Sequence, residues 1–279
     1  MVTTRAGWSM STAEAPTIEV LGTAQDAGVP HVGCRCDRCE AARESPEARR
    51  TASALLLETD GSRYLFDATL DLPTQIADVP DGVFLTHAHL GHLPGLLYFG
   101  REAADATDLP VYCTAGLADL IRENAPFSAL VDDDCIDLRT VGDETTVSAG
   151  DVDVTPTAVT HRETFPTGTL SYRIEGPHRS LYYVSDVDEW TDDVLDEIGR
   201  ADVALVDGTF WSPDELDRVA EVPHPPIRES MDAFDDLDTA IRFTHLNHTN
   251  PALDPDSPER DRLEERGYGV VEAAQRFDL

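Results

Sequence analysis

The sequence predicts an α/β fold of layered sheets and helices, and three observations predict it. Short apolar, β-rich runs recur along the 279 residues, with helix-like segments between several of them. Several of these runs end directly at a His or Asp, as expected of a sheet that presents polar groups at one rim. No internal repeat, low-complexity linker or domain boundary interrupts the chain. A single domain over residues 17–279 is therefore expected, preceded by a flexible extension at residues 1–16.

In chain order, strands are predicted at Thr17–Leu21, Ala54–Glu58, Tyr64–Phe66, Val83–Leu85 and Val111–Cys113. Further strands follow at Val152–Val159, Leu170–Ile174, Leu181–Val184, Val203–Val206 and Ile241–Thr244. Helices are predicted at Leu93–Ala104, Ala115–Glu123, Trp190–Ile198, Ile227–Phe234 and Pro258–Glu265. Pro94 sits where a first helical turn tolerates proline. Val83–Thr86 runs into His87, Val154–Thr160 into His161, and Leu181–Ser185 into Asp186. Val203–Val206 runs into Asp207 and Ile241–Thr244 into His245.

The formal net charge is −33, from 54 acidic residues against 21 basic ones, all of them Arg. Phosphates would be repelled over most of such a surface, which excludes a generic nucleic-acid or anionic-membrane binder. No apolar run reaches the roughly 20 residues that span a bilayer. The N-terminus lacks a basic start followed by an apolar stretch, so a cytoplasmic protein is expected. The acids are spread along the chain, as in Asp132-Asp133-Asp134 and Asp235-Asp236. A lysine-free, carboxylate-rich surface suits a high-salt cytoplasm, where screening removes most self-repulsion, so a halophilic source is expected.

Three of the five cysteines form a C-x-C-x-x-C at Cys34, Cys36 and Cys39. Such spacing is poor disulfide geometry, but three thiolates from one loop suit a soft-ligand tetrahedral metal, usually zinc. One ligand is then missing, and a His from elsewhere is expected. Cys113 reads as a core strand residue, and His31 and His178 read as structural.

The strongest signal is Thr86-His87-Ala88-His89-Leu90-Gly91-His92. His87 and His89 project to one side of an extended segment, and His92 can turn back to the same centre. Imidazoles with a carboxylate suit zinc, manganese or iron. Two dications bridged by a carboxylate leave room for a shared hydroxide, a nucleophile at neutral pH.

The T-H-A-H-L-G-H segment resembles the H-x-H-x-D-H signature of the metallo-β-lactamase fold hydrolases. That resemblance implies a four-layer αββα sandwich. Leu21–Asp26 leading into C-R-C-D-R-C, Val206–Trp211 and His245–Pro251 look like the pyrroloquinoline quinone biosynthesis protein B group. The C-x-C-x-x-C and T-H-x-x-H elements are also similar to the cyclic phosphodiesterase of the carbon–phosphorus lyase pathway. The resemblance implies that His87, His89 and His161 hold a first metal. It implies that His92 and His245 hold a second and that Asp186 bridges both. His248 would complete a structural zinc with Cys34, Cys36 and Cys39. His224 matches a proton donor to the leaving group, and Asp67 matches a carboxylate behind the paired histidines.

Gly91 departs from the signature, which has an Asp ligand there. Either water fills the position, or Asp26 reaches in as a substitute ligand, or the second site is weak and the centre mononuclear. A mononuclear His-rich site with a carboxylate resembles the non-haem iron oxygenases. Arg162 and Glu163, directly after His161, are substrate-binding candidates, and Arg228 is a weaker one.

The expected function is a metal-dependent hydrolase using a metal-bound hydroxide on a small phosphodiester- or ester-type substrate. One alternative is an iron-dependent oxidoreductase or hydroxylase acting on a tyrosine-like precursor in quinone cofactor biosynthesis. Another is a catalytically inactive binding or carrier protein. One structural zinc, one or two active-site metals and a small-molecule substrate are expected, with no nucleic acid and no membrane partner. Related folds often form homodimers.

Overall fold

A computed structural model describes residues 15–143, 145–162, 165–216 and 222–279. Among them, the strands are β1 (Thr17–Gly22), β2 (Ala54–Thr59), β3 (Ser62–Phe66), β4 (Gly82–Phe84), β5 (Leu109–Cys113), β6 (Ile136–Thr140) and β7 (Val147–Ala149). The chain continues through β8 (Val152–Val159), β9 (Thr169–Glu175), β10 (Ser180–Val184), β11 (Val203–Asp207), β12 (Ala240–Thr244), β13 (Gly269–Val270) and β14 (Arg276–Asp278). The helices are α1 (Asp37–Glu44), α2 (Leu72–Gln75), α3 (Ala115–Glu123), α4 (Phe127–Asp132), α5 (Asp192–Arg200), α6 (Ile227–Ala233) and α7 (Pro258–Glu265).

The strands form two seven-stranded sheets, ordered β14-β1-β2-β3-β4-β5-β6 and β13-β12-β11-β10-β9-β8-β7. Period-two alternation sends neighbouring side chains to different layers. Phe66, Phe84, Tyr183 and Leu205 enter the apolar layer between the sheets. Leu65 and Val83 face outward under Leu117 and Ile121 of α3. Tyr182 and Val206 face outward under Val194 and Ile198 of α5 and Met231 of α6. Helices thus cover both outer faces, giving the four-layer αββα sandwich. At its centre Phe84 stacks on Phe66 and Tyr112, with ring centroids 5.0 and 4.6 Å away, and meets the edge of Tyr172.

Local chemistry sets the helix ends. The Thr114 hydroxyl accepts the Leu117 N–H and starts α3, Thr191 does the same for α5 through Val194, and Ser257 for α7 through Arg260. Removing such a cap costs about 1 kcal/mol. The expected helix at Leu93–Ala104 is instead a 3-10 turn over Pro94–Phe99. Gly95 docks directly on the chain after β3, where an added Cβ would lie 2.1 Å from the Thr69 carbonyl oxygen. Its N–H donates to the Ala68 carbonyl at 2.8 Å, as a free first-turn donor can, and the bonds that follow close three-residue turns, Leu96 N–H to the Leu93 carbonyl and Gly100 N–H to the Leu97 carbonyl.

The strand directions build the rim. β8 and β10 are both antiparallel to β9, while β10, β11 and β12 are mutually parallel. The C-terminal ends of β8, β10, β11 and β12 therefore share one edge of their sheet. In the other sheet β3 and β4 are parallel, so Asp67 and His87 follow strands that exit at one edge. The edges are tied together where Leu170 N–H donates to the Thr86 carbonyl and Tyr172 Oη–H to the Leu85 carbonyl.

Candidate metal centre

Six imidazoles and Asp186 converge at this rim. His89 Nδ1 and His161 Nε2 lie 3.3 Å apart, and His87 packs against both rings. Two nitrogens bound tetrahedrally to one zinc would stand about 3.3–3.4 Å apart. Asp186 Oδ1 lies 4.0 Å from His87 Nε2 and 3.9 Å from His161 Nε2, and 3.3 Å from His245 Nε2. Its Oδ2 lies 3.4 Å from His92 Nε2. Asp186 therefore stands between a His87–His89–His161 set and a His92–His245 set, the position of a bridging carboxylate. Asp26 joins the second set, with Oδ1 3.7 Å from His92 Nε2. His92 reaches the centre from a turn, its N–H donating to the His89 carbonyl, rather than from the start of a helix.

The donor atoms fit a cation. His87 Nε2, His92 Nε2, His245 Nε2 and Asp186 Oδ2 are buried and have no hydrogen-bond partner among the described residues. Leaving such atoms unpaired costs about 1–3 kcal/mol each, and cations satisfy them together. Burial, followed by crowding from His92, pushes His87 well below the ordinary imidazole range. Burial also lowers His89 and His245. Neutral imidazole is the form that binds metal, so His92, whose burial is outweighed by Asp67 and Asp186 and which is raised to about 10, would give up a proton on binding. Burial opposes ionisation of Asp186, but His245, His92 and His87 outweigh it and hold the carboxyl well below its usual range.

Behind the donors lie two matching carboxylate–threonine pairs. Asp67 Oδ2 accepts His92 Nδ1–H at 2.7 Å, and Asp67 Oδ1 accepts the Thr86 hydroxyl at 2.9 Å. With its proton committed, Thr86 Oγ1 accepts His87 Nδ1–H at 2.9 Å. Across the rim, Asp207 Oδ2 accepts His224 Nδ1–H at 2.6 Å, and Asp207 Oδ1 accepts the Thr209 hydroxyl at 2.8 Å. Thr209 Oγ1 in turn accepts His245 Nδ1–H at 3.0 Å. Asp188 Oδ1 accepts His161 Nδ1–H at 3.1 Å. Each of these bonds fixes a tautomer and aims the other ring nitrogen at the centre. Asp67 and His245 hold positive φ, 66° and 58°, which this bonding sustains.

Burial disfavours a charged His224, but the Asp207 carboxylate outweighs it and raises the imidazole to about 9. At neutral pH it carries a proton. His224 lines a cleft of about 300 Å³ with Asp26, His89, His161, Arg162 and Pro223. Arg162 is exposed at its wall, and its backbone N–H donates to Asp188. Arg228, on α6, does not line this cleft. Glu163 lies outside the described residues. Asp188, Thr86, Thr209 and the role of Asp207 had no sequence assignment. The signals were faint: an Asp two residues after Asp186, and an Asp closing β11.

A second donor set lies apart from the first. Cys34, Cys36, Cys39 and His248 place one ligand atom each within 4.8 Å of the others. His248 Nδ1 is 3.8 Å from Cys34 Sγ and 3.7 Å from Cys36 Sγ. Zinc with bonds of about 2.0–2.3 Å gives edges near these lengths. His31 is more than a bystander: its ring packs edge-on against His248 at 4.3 Å and its N–H points at Cys39 Sγ. The set joins the loop before α1 and the first turn of α1 to the segment after β12. Cys113, closing β5, is buried core, and His178 is exposed.

Residues 62–248 match the family described as beta-lactamase superfamily domain. The chain belongs to that superfamily. Coenzyme PQQ synthesis protein B of Cupriavidus necator is 30% identical, covering 91% of this chain and 97% of the relative. The zinc-bound PqqB crystal structure from Methylobacterium extorquens superposes with a TM-score of 0.83 at 24% identity, over 94% of this chain and all of that one. A diphosphatase of the PhnP family superposes with a TM-score of 0.70 at 21% identity, over 95% of this chain and 97% of the other. These superpositions bear on the fold, which they share with this superfamily member.

Proposed function

We propose that the chain is a PqqB-like metal-dependent hydrolase of a small phosphodiester- or ester-type substrate. The observation that carries this is His224, hydrogen-bonded to Asp207, sharing one cleft with Asp186, whose Oδ2 is orphaned together with the Nε2 atoms of His87, His92 and His245. His87, His89 and His161 would hold one ion, His92 and His245 a second, and Asp186 would bridge them. Such ions supply Lewis acidity and a water that ionises near neutral pH. His224 donates its proton to the departing oxygen, and Asp207 stabilises the cation until that transfer. Thr86, Thr209 and Asp188 hold the imidazoles in the orientation the donors require. Arg162, on the cleft wall, binds an anionic group of the substrate and offsets the acidic surface.

The test is turnover of an activated phosphodiester, bis(p-nitrophenyl) phosphate, and of simple p-nitrophenyl esters, by zinc- or manganese-loaded protein. Turnover that falls roughly 10²–10⁴-fold in His224→Gln supports the proposal. Absence of turnover on both substrate classes overturns it.

A second reading is an iron-dependent oxidation of a tyrosine-like precursor in PQQ-type cofactor synthesis. The near full-length similarity to relatives named for coenzyme PQQ synthesis favours it. Iron as the bound metal, with oxygen consumed in the presence of a tyrosine-containing peptide and a reductant, would select this reading over the first.

A further inference from the structure

We propose that Asp26 supplies the carboxylate ligand of the second active-site metal, in exchange for the side chain that Gly91 lacks. This inference rests on the metal-centre reading above and concerns one donor within it.

Residue 91 carries no donor, yet a carboxylate occupies the space where its side chain would stand. An ideal Cβ built on Gly91 would lie 2.8 Å from Asp26 Oδ1 and 2.6 Å from Asp26 Cα. The loop carrying Asp26 therefore approaches so closely that residue 91 must be glycine. The approach is bonded as well as permitted: Gly91 N–H donates to Asp26 Oδ1 at 2.8 Å. Gln25 Nε2 donates to Asp26 Oδ2 at 2.7 Å. Both oxygens are thus oriented, and Oδ1 stands 3.7 Å from the unpartnered His92 Nε2. Donors to one ion with bonds of about 2.0–2.2 Å stand roughly 3–3.7 Å apart, so this distance lies at the upper end of that span.

The backbone ties Asp26 to the other donor of the same set. Gln25 N–H donates to the Leu246 carbonyl at 3.1 Å, and Leu246 N–H donates to the Thr23 carbonyl at 2.9 Å. Leu246 directly follows His245. Gly28, at φ +65°, turns the loop back, and Val29 pairs with Arg50. The tip bearing Asp26 is therefore clamped between the His245 segment and the Gly91 turn. Charge agrees with placement. Asp26 returns to the second set the negative charge that glycine at 91 removes, leaving two carboxylates and two imidazoles around that ion.

The experiment is metal content by plasma mass spectrometry on manganese- or zinc-reconstituted full-length protein, with electron paramagnetic resonance of the manganese form. Wild type, Asp26→Ala and Gly91→Ala are compared. Wild type is expected to hold a structural ion and an exchange-coupled active-site pair. Asp26→Ala is expected to lose one metal equivalent and show the signal of isolated manganese, with affinity for the lost ion down roughly 10–100-fold. Gly91→Ala removes no donor side chain but displaces the loop that carries Asp26, and is expected to lose the same ion. Retention of the coupled pair in Asp26→Ala overturns the assignment and reduces Asp26 to a hydrogen-bond acceptor for Gly91. Retention in Gly91→Ala alone overturns the steric exchange. A wild type that carries only the structural ion brings down the metal-centre reading itself, a result distinct from either.

Discussion

His224 Nδ1–H donates to Asp207 Oδ2 at 2.6 Å, with the carboxylate fully buried. That contact converts a histidine in a proline-rich loop into a held proton. Asp207→Asn removes the charge that raises His224 while keeping its shape. We expect kcat on bis(p-nitrophenyl) phosphate, measured at saturating metal, to fall about 10²-fold or more. Equal kcat in Asp207→Asn and wild type would show that the pair does not serve proton transfer.

The Cys34–Cys36–Cys39–His248 set joins two loops far apart in sequence, and zinc at such sites is worth roughly 10–16 kcal/mol in peptides. Cys36→Ser should lower the melting midpoint more than His89→Ala does. His89→Ala should cost more activity than melting temperature. Thermal scans and assays on both variants check this, and matching melting losses would contradict two distinct sites.

Surface ion pairs here are lopsided. Arg266 meets both Asp232 and Asp235, and Arg276 meets both Glu19 and Glu58. With 54 acids against 21 arginines, carboxylates far outnumber the cations available to pair with them. Screening should therefore stabilise the fold. The melting midpoint is expected to rise between dilute buffer and molar KCl, and a flat or falling trend would refute a high-salt adaptation.

Phe84 is buried between Phe66, Tyr112 and Tyr172 at the foot of the segment that carries His87. Phe84→Ala should cost about 3–5 kcal/mol of stability in denaturant unfolding. A loss under about 1 kcal/mol would show that this layer repacks freely.

Much of this was legible before the structure because periodic and clustered signals are local. The T-H-A-H-L-G-H segment and the strands ending at His161, Asp186 and His245 announced the rim. Ala115–Glu123 and Pro258–Glu265 match α3 and α7 to the residue. What escaped depends on distant partners. β14 pairs with β1 from the other end of the chain, and β6 carries exposed polar residues that only an edge position explains. α1 buries only Cys39 and Ala42, so it shows no apolar stripe. Thr86, Thr209 and Asp188 are ordinary small polar residues until the fold sets each beside a ring nitrogen. Asp26 was named from the sequence as one of three answers to Gly91, but its hydrogen bond to Gly91 N–H spans 65 positions and leaves no pattern in between.

The central claim is that a histidine-built metal centre exists apart from the cysteine site. Plasma mass spectrometry on protein purified in molar salt without added metal, wild type beside a His87→Ala, His89→Ala double variant, tests it most directly. The account predicts that the double variant keeps its cysteine-site zinc and loses active-site metal. Identical metal content in the two proteins would contradict it.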